Sequence, residues 1–341
     1  MKYSIGYQLP DELDTTLEIC KDFNEHISDV FFSWGNEPNG RSPLGRDDEK
    51  EIIEKVQLEE LKSIKSLGKT LTLLLNANCY GEDGASLKHK NHILGLVKYL
   101  KENIDIDYIT TASPFIADVL KEKYGNDIHI KASVNMRIGS VSAMRQLKSS
   151  FDSFYIKKEI NRDFDKIKEL DGWCKANGKK LHMLANSGCL TDCAFQTFHD
   201  NLIAHQKPDA DYGLNVGYPA PCHKYLKSLD GMDGITEFMR SNWIRPEDIH
   251  HYEEHFDEVK LATRMHSRPR MVIAAYCREK FKGNLLDLTE PSYSQLFKGY
   301  VIDNTLIPKE WFKLSTECKK KCDECNVCKN ALKSSLVKYT E

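Results

Sequence analysis

No apolar run in the 341-residue chain approaches the roughly 18 residues of a membrane span, so no transmembrane helix is expected. Nor is there an excess of positive charge. Lys plus Arg number 48 against 51 Asp plus Glu, a net charge of −3, which argues against a protein built to grip long nucleic acid by its phosphates. The N-terminal stretch MKYSIGYQLPDELD has neither the apolar segment nor the cleavage site of a secretory signal, and the expected location is the cytoplasm. A His-Glu-x-x-His zinc motif and a Gly-x-Ser-x-Gly elbow are both missing. Internal repeats and low-complexity runs are also missing. With 40% hydrophobic residues the chain has ample material for a core, so a disordered tail protein is excluded.

Runs rich in β-formers recur at intervals of about one βα unit. They fall at residues 3–7, 29–34, 70–76, 108–111, 128–133, 153–157, 181–185 and 258–262. Between most of them lies a stretch of helical period. Residues 49–67 carry Ile52, Ile53, Val56, Leu61, Ile64 and Leu67 on one side and end at Gly68, and residues 164–176 end at Asn177-Gly178. Eight strands alternating with helices point to a (β/α)8 TIM-like barrel, with a doubly wound open sheet as the alternative. The seventh unit carries a long β7-α7 insertion, residues 186–257, with three cysteines, six of the twelve histidines and the segment GLNVGYPAPC. An eighth helix is expected over about 266–282, then an irregular appendage at 283–316 and a Cys-rich tail. The expected division is a barrel domain, 1–282, and a C-terminal extension, 283–341.

Barrels of this kind place their sites where strands run out into the following loops. Those positions hold Ser33, Asn36, Arg41 and Arg46 after the second strand, Asn76, Asn78 and Cys79 after the third, and Thr111 and Ser113 after the fourth. The fifth strand leads to Ser133, Asn135 and Arg137, and the sixth to Lys158, Glu159, Asn161 and Arg162. The seventh leads to Asn186 and Cys189, and the eighth to Arg264 and His266. Arginines and asparagines converging on one mouth suit a carboxylate- or phosphate-bearing ligand. The plainer reading is that some of them cap helices and tie loops.

Eleven cysteines are unevenly placed. Clustered thiols in a reducing compartment point to metal rather than to disulfides. Cys189-Leu-Thr-Asp-Cys193 follows the seventh strand, and Cys222 lies on the same excursion as the natural third ligand. Three thiolates can anchor a [4Fe–4S] cluster with its fourth iron bound elsewhere or left to substrate. They also suit zinc, with His199 or His223 completing a mixed site, and buried cysteines acting as small hydrophobes are the plain alternative. Cys318-x3-Cys322-x2-Cys325-x2-Cys328 places four thiols within eleven residues. That compactness suits a ferredoxin-type cluster, with zinc the competitor. Lys319, Lys320, Lys321 and Lys329 would offset the charge of such a centre, as they would in any solvated tail. His250, His251 and His255 look like a metal trio but read better as decoration of a surface helix opened by Arg245-Pro246-Glu247-Asp248.

At four stretches the chain resembles the U32 peptidases, the collagenase-like protease family. SPFIADVLKEKYG with KASVNMRIGS resembles the family's middle barrel segments, and FYIKKEINRDFDKIKEL its strand that opens a helix. Asn-x-Gly-Cys-x3-Cys at 186–193 is similar to its Gly-x-Cys-x3-Cys element, and WIRPEDIHHYEEHFDEVKLATR to its final strand with a Lys-x3-Arg pair, here Lys260 and Arg264. The chain departs from the family signature at Leu181-His-Met-Leu-Ala-Asn186 and in placing its third cysteine, Cys222, afterwards. The resemblance implies iron–sulfur proteins of oxygen-independent hydroxylation, acting in ubiquinone synthesis or on transfer or ribosomal RNA. The expectation is therefore an iron–sulfur enzyme acting on a small molecule or RNA, with one or two [4Fe–4S] clusters, zinc possible at the tail, and a ferredoxin or flavoprotein as a potential electron donor. Arg41, Asn135, Arg137, Asn161, Arg162, Asn186 and Lys260 are the substrate contacts, and Glu159, His199 and Arg264 the catalytic candidates. The rivals are a zinc hydrolase or peptidase and a non-enzymatic zinc-binding RNA or scaffold protein.

Overall fold

The computed structural model describes residues 1–10, 14–41, 49–205 and 220–339. Arg46 and the first seven residues of GLNVGYPAPC lie outside them. Eight parallel strands close into a barrel in chain order. They are β1 (Lys2–Gly6), β2 (Ile27–Phe32), β3 (Thr70–Leu75), β4 (Tyr108–Thr111), β5 (His129–Ala132), β6 (Ser153–Tyr155), β7 (Lys180–Leu184) and β8 (Glu258–Lys260). Closure is made by β1 against β8, with Ser4 opposite Lys260. The expected strands and the barrel are therefore observed, and the open-sheet alternative falls.

Strands such as Thr-Leu-Thr-Leu-Leu-Leu are nearly continuous apolar runs because both faces are covered, one by helices and one by the barrel interior. The helices start where polar caps stand. Asp163 accepts from the Lys166 amide to open Phe164–Ala176, and Ser113 accepts from the Ile116 amide to open Pro114–Tyr124. Ser133 likewise accepts from the Asn135 amide. For Ser113 and Ser133 the capping reading holds.

The lower interior of the barrel is polar. Lys131 lies 3.5 Å from Glu258 and 4.0 Å from Asp29, spanning from β5 to β8 and β2. Ser4 and Thr72 donate to Asp29 at 2.5 and 2.7 Å. Buried acids here are fully engaged, as burial demands.

Between β7 and β8 the insertion forms helices at Gln196–Ala204, Pro221–Ser228 and Asp233–Arg240. Residues 246–252 form a 3-10 helix rather than a surface α-helix, burying Pro246, Ile249 and Tyr252 at threefold spacing. His255 is not surface decoration. It is buried, with Nδ1 2.9 Å from Asp171. The eighth helix is shorter than expected, Pro269–Cys277.

Residues 283–316 are not irregular. They form a helix at Leu285–Leu288, a strand β9 (Tyr300–Ile302) and a helix at Trp311–Thr316, and β9 pairs antiparallel with β10 (Leu336–Lys338). Elements this short leave no periodic signal in sequence. Burial of Leu285, Tyr293, Ile302, Trp311 and Leu332 holds them instead. Among the described residues no helix is long and apolar enough to cross a membrane.

Candidate active site and thiol centres

At the C-terminal end of the barrel a cavity of about 60 Å³ is floored by Phe31, Leu74 and Leu184 and rimmed by Arg41, Asn76, Asn135, Lys260, Arg264 and Glu290. Two glycines make it possible. A Cβ on Gly6 would lie 2.5 Å from the Arg264 amide nitrogen, and one on Gly40 would lie 2.6 Å from Asn135 Nδ2. The Gly40 amide donates to Asn76 Oδ1 at 3.0 Å and Asn135 Nδ2 donates to the Asn76 carbonyl at 3.1 Å, which fixes the β2 loop over the mouth.

Arg264 is buried and held by neutral oxygens, donating to Ser33 Oγ at 2.5 Å and Asn39 Oδ1 at 2.6 Å. Burial, then Arg41, pulls its guanidinium down to about 9 against the opposing pull of Glu290. Lys260 Nζ lies 3.6 Å from the Phe31 ring centroid. Burial brings its amine down to about 7; Asp29 opposes, while Lys131, Arg264 and Arg41 add to the fall. Two guanidinium groups and an amine thus face one small space against a single carboxylate, Glu290, a balance that attracts an anion.

Beside the mouth lies the first thiol set. Cys189 and Cys193 stand in the loop after β7, and Cys222 at the start of the helix Pro221–Ser228. A parallel bridge pairs Ser187 with Glu290, and the Gly188 amide donates to the Glu290 carbonyl at 3.1 Å, so the post-barrel segment clamps this loop. Tyr293, from the same segment, faces the thiols. Its hydroxyl is buried without a hydrogen-bond partner among the described residues, and its pKa is raised by burial and then by Cys189, Cys222 and Cys193. The Cys222 thiol is pushed up to about 11, by burial first and then by Cys189 and Cys193. Three thiols near one another and a hydroxyl without a partner offer the donor chemistry of a metal centre, without its closed geometry. Cys20, Cys174 and Cys277 are different. Burial raises each to about 12, and they pack as small hydrophobes.

His199, on the helix Gln196–Ala204, joins thiol loop to mouth. Burial lowers its pKa, and Arg41 lowers it further. Its neighbour Asp200 accepts from Asn78 at 3.0 Å and from Arg137 at 3.3 Å. Asn186 serves the frame: its Oδ1 accepts from the Ala262 amide at 2.6 Å and its Nδ2 donates to the Ala262 and Leu288 carbonyls. Asn161 does likewise, donating to the Leu184 and Asn242 carbonyls.

A larger cavity, about 800 Å³, is lined by Cys318, Cys322, Cys325 and Cys328 together with Arg162 and Arg240. Arg162 is 4.9 Å from the Trp243 ring and 5.2 Å from Trp311, and donates to the Trp243 carbonyl at 2.6 Å. It therefore belongs with the tail and not with the mouth. So does Glu159, whose backbone carbonyl accepts from Lys320 at 2.7 Å. Cys328 is pushed up to about 11 by burial, with Arg162 opposing and Cys318 and Cys322 adding. Among the described residues no group of three or more His, Cys, Asp or Glu side chains is placed to hold a metal ion.

The expected set thus divides: Arg41, Asn135, Lys260 and Arg264 at the mouth, His199 and Arg137 with the first thiols, and Glu159 and Arg162 with the second. Glu290, Tyr293, Gly40 and Asn39 escaped the sequence reading. The only signal near the first two was Pro291, which reads as a turn.

The fold and mouth define a TIM-barrel protein whose polar site is of the enzyme type. No family model matches the chain. Over 307 residues it is 26% identical to the uncharacterized protease MJ1657 of Methanocaldococcus jannaschii, a match covering 88% of this chain and 86% of that one. Among solved structures the U32 peptidase Mk0906 superposes with a TM-score of 0.51 at 14% identity, over 77% of this chain and 92% of that one, a likeness of fold. The chain thus shares the barrel fold of a U32 peptidase and is similar in sequence to a protein named as a protease.

Proposed function

We propose that this chain is an iron–sulfur-dependent, U32-like enzyme that modifies an anionic small molecule or an RNA without oxygen, by hydroxylation or another redox or group transfer. The observation that carries this reading is the gathering of Cys189, Cys193 and Cys222 about Tyr293, beside a mouth lined by Arg41, Lys260 and Arg264. A [4Fe–4S] cluster bound there supplies one-electron chemistry or a Lewis-acidic iron for a substrate oxygen.

The chain's own residues do the rest. Arg41 and Arg264 bind the anion and orient it over Phe31 and Leu184. His199, whose pKa is lowered by burial and by Arg41, is the proton acceptor. Glu159, the other acid–base candidate, lies on the tail side. The four tail cysteines hold a second centre for electron passage, and the lysines around them receive a ferredoxin or flavoprotein donor. In this reading residues 1–282 are the catalytic barrel, and 283–341 complete its mouth with Glu290 and Tyr293 and handle electrons through the tail cysteines.

The test is anaerobic purification with iron, sulfide and zinc counts and an absorbance spectrum. Iron with matching sulfide and a broad band near about 400 nm is the expected result. Zinc without iron would replace this reading with the hydrolase.

A further inference from the structure

The mouth holds one group to which the iron–sulfur reading gives no chemical step. Lys260 leaves the end of β8 with its Nζ 3.6 Å from the Phe31 ring centroid and 5.5 Å from that of Tyr155. Among the described residues no carboxylate pairs with it. The barrel acids are already committed below it, where Lys131 lies 3.5 Å from Glu258 and 4.0 Å from Asp29. The other charged groups at the mouth are Arg41, Arg264 and Glu290, whose carboxylate acts on Arg264. An amine out of water and beside other cations is held toward its neutral, nucleophilic form, while the ring faces of Phe31 and Tyr155 pull the other way. Burial first, then Lys131, Arg264 and Arg41, outweigh Asp29 and bring its pKa to about 7.

We infer that Lys260 is a covalent catalytic amine, forming an imine with the carbonyl of a small 2-oxo acid whose carboxylate sits on Arg41 and Arg264. Ser33 and Asn39 occupy two of the Arg264 donors, and a guanidinium has five. The cavity of about 60 Å³ sets the size of the ligand. One water needs about 10–15 Å³ on this measure, so the space suits an acid of a few heavy atoms. The amine nitrogen attacks the carbonyl carbon. Both amine hydrogens leave with the carbonyl oxygen as water, the C=N bond replaces C=O, and nothing is oxidised or reduced. The inference rests on the mouth alone, and metal content does not bear on it.

The experiment treats the full-length protein near neutral pH with pyruvate or glyoxylate and a borohydride reductant, followed by intact mass and peptide mapping. The expected result is one reduced adduct, on Lys260. At pH 7 an amine of pKa about 7 has about a thousandfold more free base than an ordinary lysine, and labelling should favour Lys260 over exposed lysines by on the order of 10²-fold or more. Acetone, which lacks the carboxylate, should label Lys260 at least about tenfold more slowly. The adduct should vanish in a folded Lys260→Arg variant. Labelling spread evenly over surface lysines, or none at Lys260 with either acid, overturns the inference. Equal labelling by acetone overturns the carboxylate seat. Mapping of the unaltered protein decides the matter even where Lys260→Arg fails to fold.

Discussion

The barrel mouth and the tail cavity are both furnished with cations and thiols, and they treat charge in opposite ways. In the tail the cations are engaged. Arg162 is wrapped by backbone carbonyls and two indoles, Arg240 pairs with Glu237 at 2.5 Å, and Lys329 pairs with Asp233 at 2.9 Å. At the mouth Arg264 is held by neutral oxygens and Lys260 has no carboxylate among the described residues. Engaged charge holds a loop in place, whereas uncompensated buried charge costs stability and marks where a ligand is to go.

The largest expected effect breaks the mouth and spares the tail. Gly6→Ala puts a Cβ 2.5 Å from the Arg264 backbone nitrogen, with no flexible side chain to give way. It should cost about 3 kcal/mol in denaturant unfolding, a severe case of overpacking. Any iron held by the tail should stay unchanged.

Lys260→Met sharpens the contrast from the other side. The folded amine, at about 7, lies below its ordinary 10.5, so the folded protein binds fewer protons than the unfolded one between those values, and stability rises with pH across that window. The penalty is complete below about pH 7. Replacing Lys260 should therefore stabilise the protein by about 2–3 kcal/mol at about pH 6, discounted because the amine still reaches the mouth. The gain should shrink toward about pH 10. A gain independent of pH would mean that the lysine is not desolvated.

The smallest effect belongs to Tyr293→Phe. In protein stripped of metal it should be neutral or stabilising by up to about 1 kcal/mol, because it removes a buried hydroxyl with no partner. In metal-loaded protein the sign should reverse, read as thermal unfolding before and after reconstitution.

How much of this was legible in sequence differs between the two regions. All eight strands were, because each is a short apolar run set off by turn residues. The tail thiols were legible because Cys318 to Cys328 are local in the chain. The mouth was legible in part. Arg41, Asn135, Lys260 and Arg264 follow strand ends, and the barrel turns that position into proximity. Arg162 and Asn161 follow β6 just as faithfully, yet a 3-10 turn at Lys158–Ile160 carries them away from the mouth. Glu290 and Tyr293 were out of reach. They return to the site through the Ser187–Glu290 bridge, a contact between segments about a hundred residues apart that no local pattern announces.

Two separate thiol centres, one beside the mouth and one in the tail, would divide the iron between them. Iron and sulfide should be counted in anaerobically reconstituted wild type, in Cys189→Ala and in a variant truncated before Cys318. The account predicts that each variant loses part of the iron and keeps the rest, with the two losses adding to the whole. Iron that disappears only on truncation would contradict it, leaving Cys189, Cys193 and Cys222 as ordinary thiols.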